Sequence, residues 1–147
     1  MCENAGLSSR LHRINQQIAE TDFLYHQAAL KLGLTDSALR VLYTLLDHGC
    51  SCPLALVYRQ TGLSKQTVHS AICKLEERGI LTLQAENGGA KTAALTKAGQ
   101  EYTKNTAGRL FQAECRVYAD WSEEEMQQML TLMQKYNTAL QKQIDTM

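Results

Sequence analysis

Gly62-Leu-Ser-Lys-Gln-Thr-Val-His-Ser-Ala-Ile-Cys-Lys-Leu-Glu-Glu-Arg-Gly-Ile-Leu81 spells a turn, a capped helix, a stop and the start of a strand. Ser64 offers its hydroxyl to the free N–H groups of a helix that begins just after it. Along that helix Val68, Ala71, Ile72 and Leu75 recur at helical spacing and gather on one side, which must face a core. Gly79, following Arg78, accepts the left-handed backbone that ends a helix. Upstream, Pro53 suits the first turn of a short helix, because its missing N–H has no partner to lose there. That helix runs to about Gln60 and stops at Gly62. Two short helices joined around a glycine form a helix-turn-helix.

Outward from this unit the pattern stays helical except at one place. Ile80-Leu-Thr-Leu-Gln-Ala-Glu86 and Lys91-Thr-Ala-Ala-Leu95 flank Asn87-Gly88-Gly89, and Asn-Gly supplies the positive φ angles of a tight hairpin, so a two-stranded β wing is expected. Before the helix-turn-helix, Thr35 can cap a helix carrying Ala38, Val41, Leu42, Leu45 and Leu46 on one side, ended by Gly49. Earlier still, Leu7, Leu11, Ile14, Ile18, Leu24/Tyr25, Ala28/Ala29 and Leu32 make one stripe of a long helix closed by Gly33. At about 1.5 Å per residue, roughly 25 residues span close to 37 Å, longer than a small core needs. After the wing, Thr96 can cap a helix running to about Asp120, and Ser122-Glu-Glu-Glu125 is a capping box. The last helix repeats Met126, Met129, Leu130, Met133, Tyr136/Asn137, Leu140 and Ile144. The expected fold is mainly α, a winged helix-turn-helix between long N- and C-terminal helices. Its segments are 1–33, 34–98 and 99–147.

Composition narrows the chemistry. The 147 residues carry 15 Lys plus Arg and 15 Asp plus Glu, a formal net charge of zero. Bulk charge therefore cannot hold the chain to nucleic acid or anionic lipid, and any such binding must come from a local patch. The patch exists but is slight: residues 34–98 hold seven basic residues against five acidic ones, and the rest of the chain is correspondingly negative. No run of 18 apolar residues suits a membrane span, and the first residues lack the apolar core of a signal peptide. Five cysteines, Cys2, Cys50, Cys52, Cys73 and Cys115, are an odd number at irregular spacing, so a reducing, cytoplasmic setting is expected.

The side of the central helix opposite its apolar stripe shows Gln66, His69, Ser70, Cys73 and Glu77, flanked by Lys65 and Lys74. Gln66, His69 and Ser70 can hydrogen-bond to base edges, and Lys65 can meet a phosphate or a guanine. Thr67, Ser64 and the free N–H groups of the helix start suit a phosphate, with Lys74 behind them. Glu77 repels phosphate, so only the first half of the helix is expected to enter a groove of double-stranded DNA. The alternative is a helix-turn-helix that is only a packing unit or a protein-binding module, its polar side solvated. His48-Gly-Cys50-Ser-Cys52 is the densest group of soft ligands. A cysteine at a helix N-terminus can have a lowered pKa and react with oxidants, and modification of Cys73 would block the polar side by bulk. Four-ligand zinc spacing is lacking, so no metal or other cofactor is expected and inert cysteines are the simpler reading. Catalytic motifs are lacking too, and no catalytic residue is assigned.

Three stretches resemble MarR-type regulators: Leu34-Thr-Asp-Ser-Ala-Leu-Arg-Val-Leu-Tyr-Thr-Leu-Leu46, the opening stretch Gly62–Leu81, and Leu95-Thr-Lys-Ala-Gly99. Trp121-Ser-Glu-Glu-Glu125 and the overall length are also similar. The resemblance implies a winged-helix homodimer that represses or activates transcription, often released by a small ligand or by oxidation. One departure stands out. The family's hairpin usually carries an Asp…Arg pair, whereas Glu86-Asn-Gly-Gly-Ala-Lys91 has only Lys91, and lysine lacks arginine's planar contacts. Lys91 is therefore expected to touch phosphate.

The resemblance gives the outer helices a use. A C2 dimer would pair Leu7, Leu11 and Ile14 with Met126, Met129, Leu130, Met133, Leu140 and Ile144 of both chains; a helical hairpin within one chain is the alternative. Two recognition helices about 34 Å apart would demand a pseudo-palindromic operator. In such regulators a pocket often lies between the dimer helices and the DNA-binding lobe, which would bring Arg13, Tyr25, His26 and Tyr43 near a small aromatic or phenolic effector. Completing a core is the other role open to those side chains. The rival reading from another class is a thiol- or metal-based sensor acting through Cys50 and Cys52, with DNA binding secondary or lost.

Overall fold

The computed structural model describes residues 4–85 and 88–147. Its elements run α1 (Ala5–Leu32), α2 (Asp36–Asp47), β1 (Ser51–Pro53), α3 (Leu54–Thr61), α4 (Lys65–Glu77), β2 (Leu81–Ala85), β3 (Lys91–Leu95), α5 (Lys97–Asn105), α6 (Ala107–Ala119) and α7 (Glu123–Ile144). The chain forms two compact units, the first ending at Leu110 and the second running Phe111–Met147.

Caps set most of the helix boundaries. Thr35 accepts the Ala38 N–H at 3.1 Å, Ser64 accepts the Thr67 N–H at 3.1 Å, and Thr96 accepts the Gly99 N–H at 2.9 Å. The capping box at α7 is complete: Ser122 Oγ accepts the Glu125 N–H, and Glu125 accepts the Ser122 N–H at 2.8 Å. Gly33 closes α1 in the left-handed region at φ 68°.

Five expectations are corrected. The wing is a three-stranded antiparallel sheet in the order β1-β3-β2, with both Cys52 and Leu83 opposite Ala93. Pro53 consequently ends a strand and stands at the N-cap of α3, not in its first turn. A strand with no second neighbour tolerates a residue that cannot donate. The hairpin connection is longer than a two-residue turn, since Ala85 pairs with Lys91 and leaves 86–90 between them. Within it Gly88 and Gly89 take positive φ, while Glu86 and Asn87 lie outside the described residues.

The helix expected from Thr96 to Asp120 is two helices, broken at Thr106 (φ −122°, ψ −95°). Side chains serve the carbonyls around the break: the Thr106 hydroxyl donates to Tyr102 O at 2.8 Å and the Asn105 amide to Glu101 O at 2.9 Å. Finally, α2 buries Leu39 and Thr44 as well as Val41, Leu42 and Leu45, with Ala38 and Leu46 only half-buried. That helix is packed by α1, α3, α4, α5 and the sheet, so it has no single core face.

The core of the first unit is built from Val41, Leu42, Leu45, Val57, Val68, Ile72, Leu75 and Leu81, all nearly inaccessible to solvent. Each such side chain contributes about 1.5–3 kcal/mol by leaving water. The Leu95–Gly99 string has a tertiary purpose. Thr96 Oγ1 donates to the Gly79 carbonyl at 2.6 Å, and Gly99 lies so close to the Ile80 carbonyl that a β-carbon would collide with it. Together they lock α5 onto the turn after α4.

Candidate nucleic-acid interface

Helix α4 is anchored by one side and presents the other. Val68, Ala71, Ile72 and Leu75 are buried, whereas Lys65, Gln66, Thr67, His69, Ser70 and Lys74 are exposed, with Ser64 exposed at the cap. Sequence periodicity alone places every one of these residues on its observed side. At the helix start Ser64 Oγ and Thr67 Oγ1 lie 2.8 Å apart, two hydroxyls beside the unpaired N–H groups of the first turn. Lys65 Nζ sits 5.9 Å from the centre of the Tyr58 ring on α3, a cation–π contact that steers the ammonium without neutralising it. Lys91 is exposed where β3 begins, at the end of the ribbon remote from the core.

A cleft of about 340 Å³ separates the start of α2 from α4. Ser37, Ser70, Lys74, Glu77 and Arg78 are among its lining residues. Arg78 closes α4, with its guanidinium carbon 4.9 Å from the Tyr102 ring centre and Nη1 donating to Tyr102 Oη at 3.4 Å. Arg40 donates to the Thr61 carbonyl at 3.0 Å, at the end of α3, and lies 3.9 Å from Asp22 on α1. It joins α2 to α1 and to the end of α3. Sequence reading passes over both arginines, because their partners lie more than 15 residues away in the chain.

It also passes over a closer pair. His69 Nε2 lies 3.5 Å from Cys73 Sγ on the presented side of α4. The signal was available in the His-x-x-x-Cys spacing, which places two residues on one helix face.

The effector candidates are dispersed. Arg13 and Tyr25 are both exposed on α1, about 18 Å apart along its axis at the usual rise per residue. His26 Nδ1 is 2.9 Å from Asp36, pairing α1 with the start of α2. Tyr43 is half-buried against the core. None of the four lines the cleft between α2 and α4.

Cys50 is half-buried in the left-handed region at φ 74°, and its carbonyl accepts the Leu95 N–H at 2.8 Å. Cys52 is fully buried in β1, just before the N-cap of α3, and burial pushes its thiol pKa up, opposite to the lowering expected of a reactive cysteine. Cys73 is half-buried. Among the described residues, no three His, Cys, Asp or Glu side chains converge on one metal position.

The dimer candidates are exposed in their own units. In the first, Leu7 is 53% exposed, with Leu11 and Ile14 similar; in the second, Leu130 is 50% exposed, with Met129, Met133, Leu140 and Ile144 similar and Met126 partly covered. Among the described residues, no helix is long and apolar enough to cross a membrane.

Residues 32–91 match the MarR family. No curated protein sequence matches the chain. Among solved structures, the chain is similar to NMB1585, a MarR family regulator from Neisseria meningitidis, at 19% identity and TM-score 0.81 over 92% of this chain and 96% of that one. It is similar to a MarR family transcriptional regulator from Silicibacter pomeroyi at 16% identity and TM-score 0.70, over 86% of each chain. A third similar structure is BpsR of Bordetella bronchiseptica, described through the regulation of its DNA binding by 6-hydroxynicotinic acid (20% identity, TM-score 0.64, 92% of this chain and 94% of that one). At these identities the likeness is one of fold.

Proposed function

We propose that this chain, whose residues 32–91 match the MarR family and whose winged-helix fold is similar to that of solved MarR-family structures, is a transcriptional regulator of the cytoplasm that binds a pseudo-palindromic operator as a homodimer. The observation that carries this reading is α4, which buries one side in the core and leaves Gln66, His69 and Ser70 exposed together on the other. Those three read base edges in the major groove. Ser64, Lys65, Thr67, Lys74 and Lys91 hold the phosphate backbone, which fixes register without reading sequence. Residues 34–98 form the DNA-binding lobe, and 1–33 with 99–147 serve dimerisation. With a charge excess of only seven basic to five acidic residues in the lobe, affinity falls gently with salt compared with strongly basic binders.

A small aromatic or phenolic effector releases the operator in this reading. Support comes from BpsR, whose DNA binding responds to 6-hydroxynicotinic acid. Arg13, Tyr25, His26 and Tyr43 are the residues to substitute first. The rival, a sensor acting through Cys50 and Cys52, has the burial of Cys52 against it, since a protonated thiol out of water is a poor nucleophile.

The test is selection of bound fragments from a random duplex pool. A symmetric motif with half-sites about one helical turn, roughly 34 Å, apart is the expected result. Failure to enrich any sequence, with retention that does not depend on salt, overturns the reading.

A further inference from the structure

We propose that His69 and Cys73 form a two-ligand site for a borderline-soft divalent cation of the zinc type, placed so that the bound ion and operator DNA exclude one another at His69. The exclusion rests on the DNA-binding reading above; the metal site does not.

The pair is already spaced for the ion. In a tetrahedral site a zinc–nitrogen bond of about 2.0–2.1 Å and a zinc–sulfur bond of about 2.3 Å set the two ligand atoms about 3.5 Å apart. His69 Nε2 and Cys73 Sγ stand 3.5 Å apart without an ion. Their backbone is fixed by Val68, Ala71, Ile72 and Leu75, buried on the opposite side of the same turns, so little ordering remains to be done on binding. Without a metal the contact is a weak thiol–imidazole hydrogen bond, and a thiolate bond to the ion is far stronger.

Binding is balanced by simple exchange. The hydrated ion gives up two waters, neutral imidazole donates the Nε2 lone pair, and the Cys73 thiol passes its proton to solvent as the sulfur–metal bond forms. No oxidant or reductant takes part. Water keeps the other positions, because no third His, Cys, Asp or Glu among the described residues converges there. Two protein ligands make an exchangeable site, unlike the closed four-ligand sites that hold folds together.

The location distinguishes this thiol from the others. Exposed Cys115 has Phe111, Gln112, Tyr118 and Ala119 at its helix-neighbour positions, so its own helix offers no His or Cys at that spacing. Cys52 is buried. On α4, by contrast, an ion held by His69 Nε2 and Cys73 Sγ engages the imidazole that His69 presents for a base edge. Metal therefore removes sequence reading, while the added positive charge leaves attraction to phosphate intact.

Titration of the full chain with Cd²⁺ alone, followed by the cadmium–thiolate charge-transfer band in the ultraviolet, tests the site without DNA. One exchangeable equivalent per chain is expected at this pair in the wild type and in Cys115→Ser, with affinity at least tenfold weaker in both Cys73→Ser and His69→Ala. An unchanged band in either of those two variants overturns the site, whatever the chain does with DNA. A second titration, of the selected operator against Zn²⁺, tests exclusion: operator affinity is expected to fall at least tenfold for the wild type and not for Cys73→Ser, while binding to unrelated duplex holds. Zn²⁺ leaving wild-type operator affinity unchanged while Cd²⁺ still binds the pair overturns the exclusion alone.

Discussion

Gln66 and His69 stand one turn apart on the presented side of α4, near the end where the helix N–H groups are free. A side chain reading a base edge discriminates by about 1–3 kcal/mol against the wrong pair. Gln66→Ala is therefore expected to flatten preference at one or two operator positions and leave affinity for unrelated duplex almost unchanged. Lys91→Ala acts differently, weakening all sequences alike and reducing the salt slope by about one. Fluorescence anisotropy against a panel of single-base operator variants, at two salt concentrations, separates these outcomes; uniform weakening by Gln66→Ala removes it from the reading set. Cys52 belongs to the opposite regime, buried with its thiol pKa pushed up. Iodoacetamide is expected to modify exposed Cys115 readily and Cys52 only on unfolding, as mapped by mass spectrometry of peptides. Because the folded thiol holds its proton more tightly than the unfolded one, its contribution to stability is complete below the ordinary thiol pKa. It declines as pH rises from there through the folded value. Equal labelling of Cys52 and Cys115 in native buffer contradicts this account.

Elements are fixed by caps and by close approaches, and both kinds are testable by stability. Ser64→Ala removes the acceptor for the Thr67 N–H and is expected to cost about 1 kcal/mol. Gly99→Ala should cost more, about 2 kcal/mol or above, since the new methyl meets the rigid Ile80 carbonyl and must push α5 off the turn after α4. Urea unfolding midpoints rank the two; a neutral Gly99→Ala means the string Leu95–Gly99 is not under steric constraint. The contrast shows what was legible beforehand. Thr35, Ser64, Thr96 and Ser122 are recognisable as caps because the groups they satisfy lie within three residues. The buried face of α4 is legible for the same local reason. Strand β1 is not, because Ser51–Pro53 becomes a strand only by pairing with Thr92–Ala94, some 40 residues away. The break at Thr106 is equally hidden: it has no proline, its nearby Gly108 falls inside α6, and it depends on side-chain bonds that a helix pattern does not display. Leu39 escapes a period-based reading, which assumes one buried face, because α2 is enclosed on several sides.

At the scale of the whole molecule, two apolar stripes lack a cover within their own units. Leu7, Leu11 and Ile14 line α1, where Ala29 is the only buried residue, and among the described residues none of α7 is buried. An exposed apolar stripe along a helix is a candidate interaction surface. A second copy is the occupant that the proposed operator symmetry requires, since a two-fold axis presents identical recognition helices to identical half-sites. Charge agrees, for the segment bearing α4 carries the positive excess and the rest of the chain the negative one. Sedimentation equilibrium is expected to give twice the chain mass. Leu130→Glu combined with Met133→Glu places charges on the α7 stripe and should shift the mass toward one chain while circular dichroism retains the helical signal. The same double variant should bind a single half-site as the wild type binds one, yet lose at least a hundredfold on the full operator, because the second half-site no longer benefits from a tethered partner. A wild-type chain that sediments as a monomer, or a double variant that keeps full operator affinity, would remove the two-fold axis from the account and leave α4 to read DNA alone.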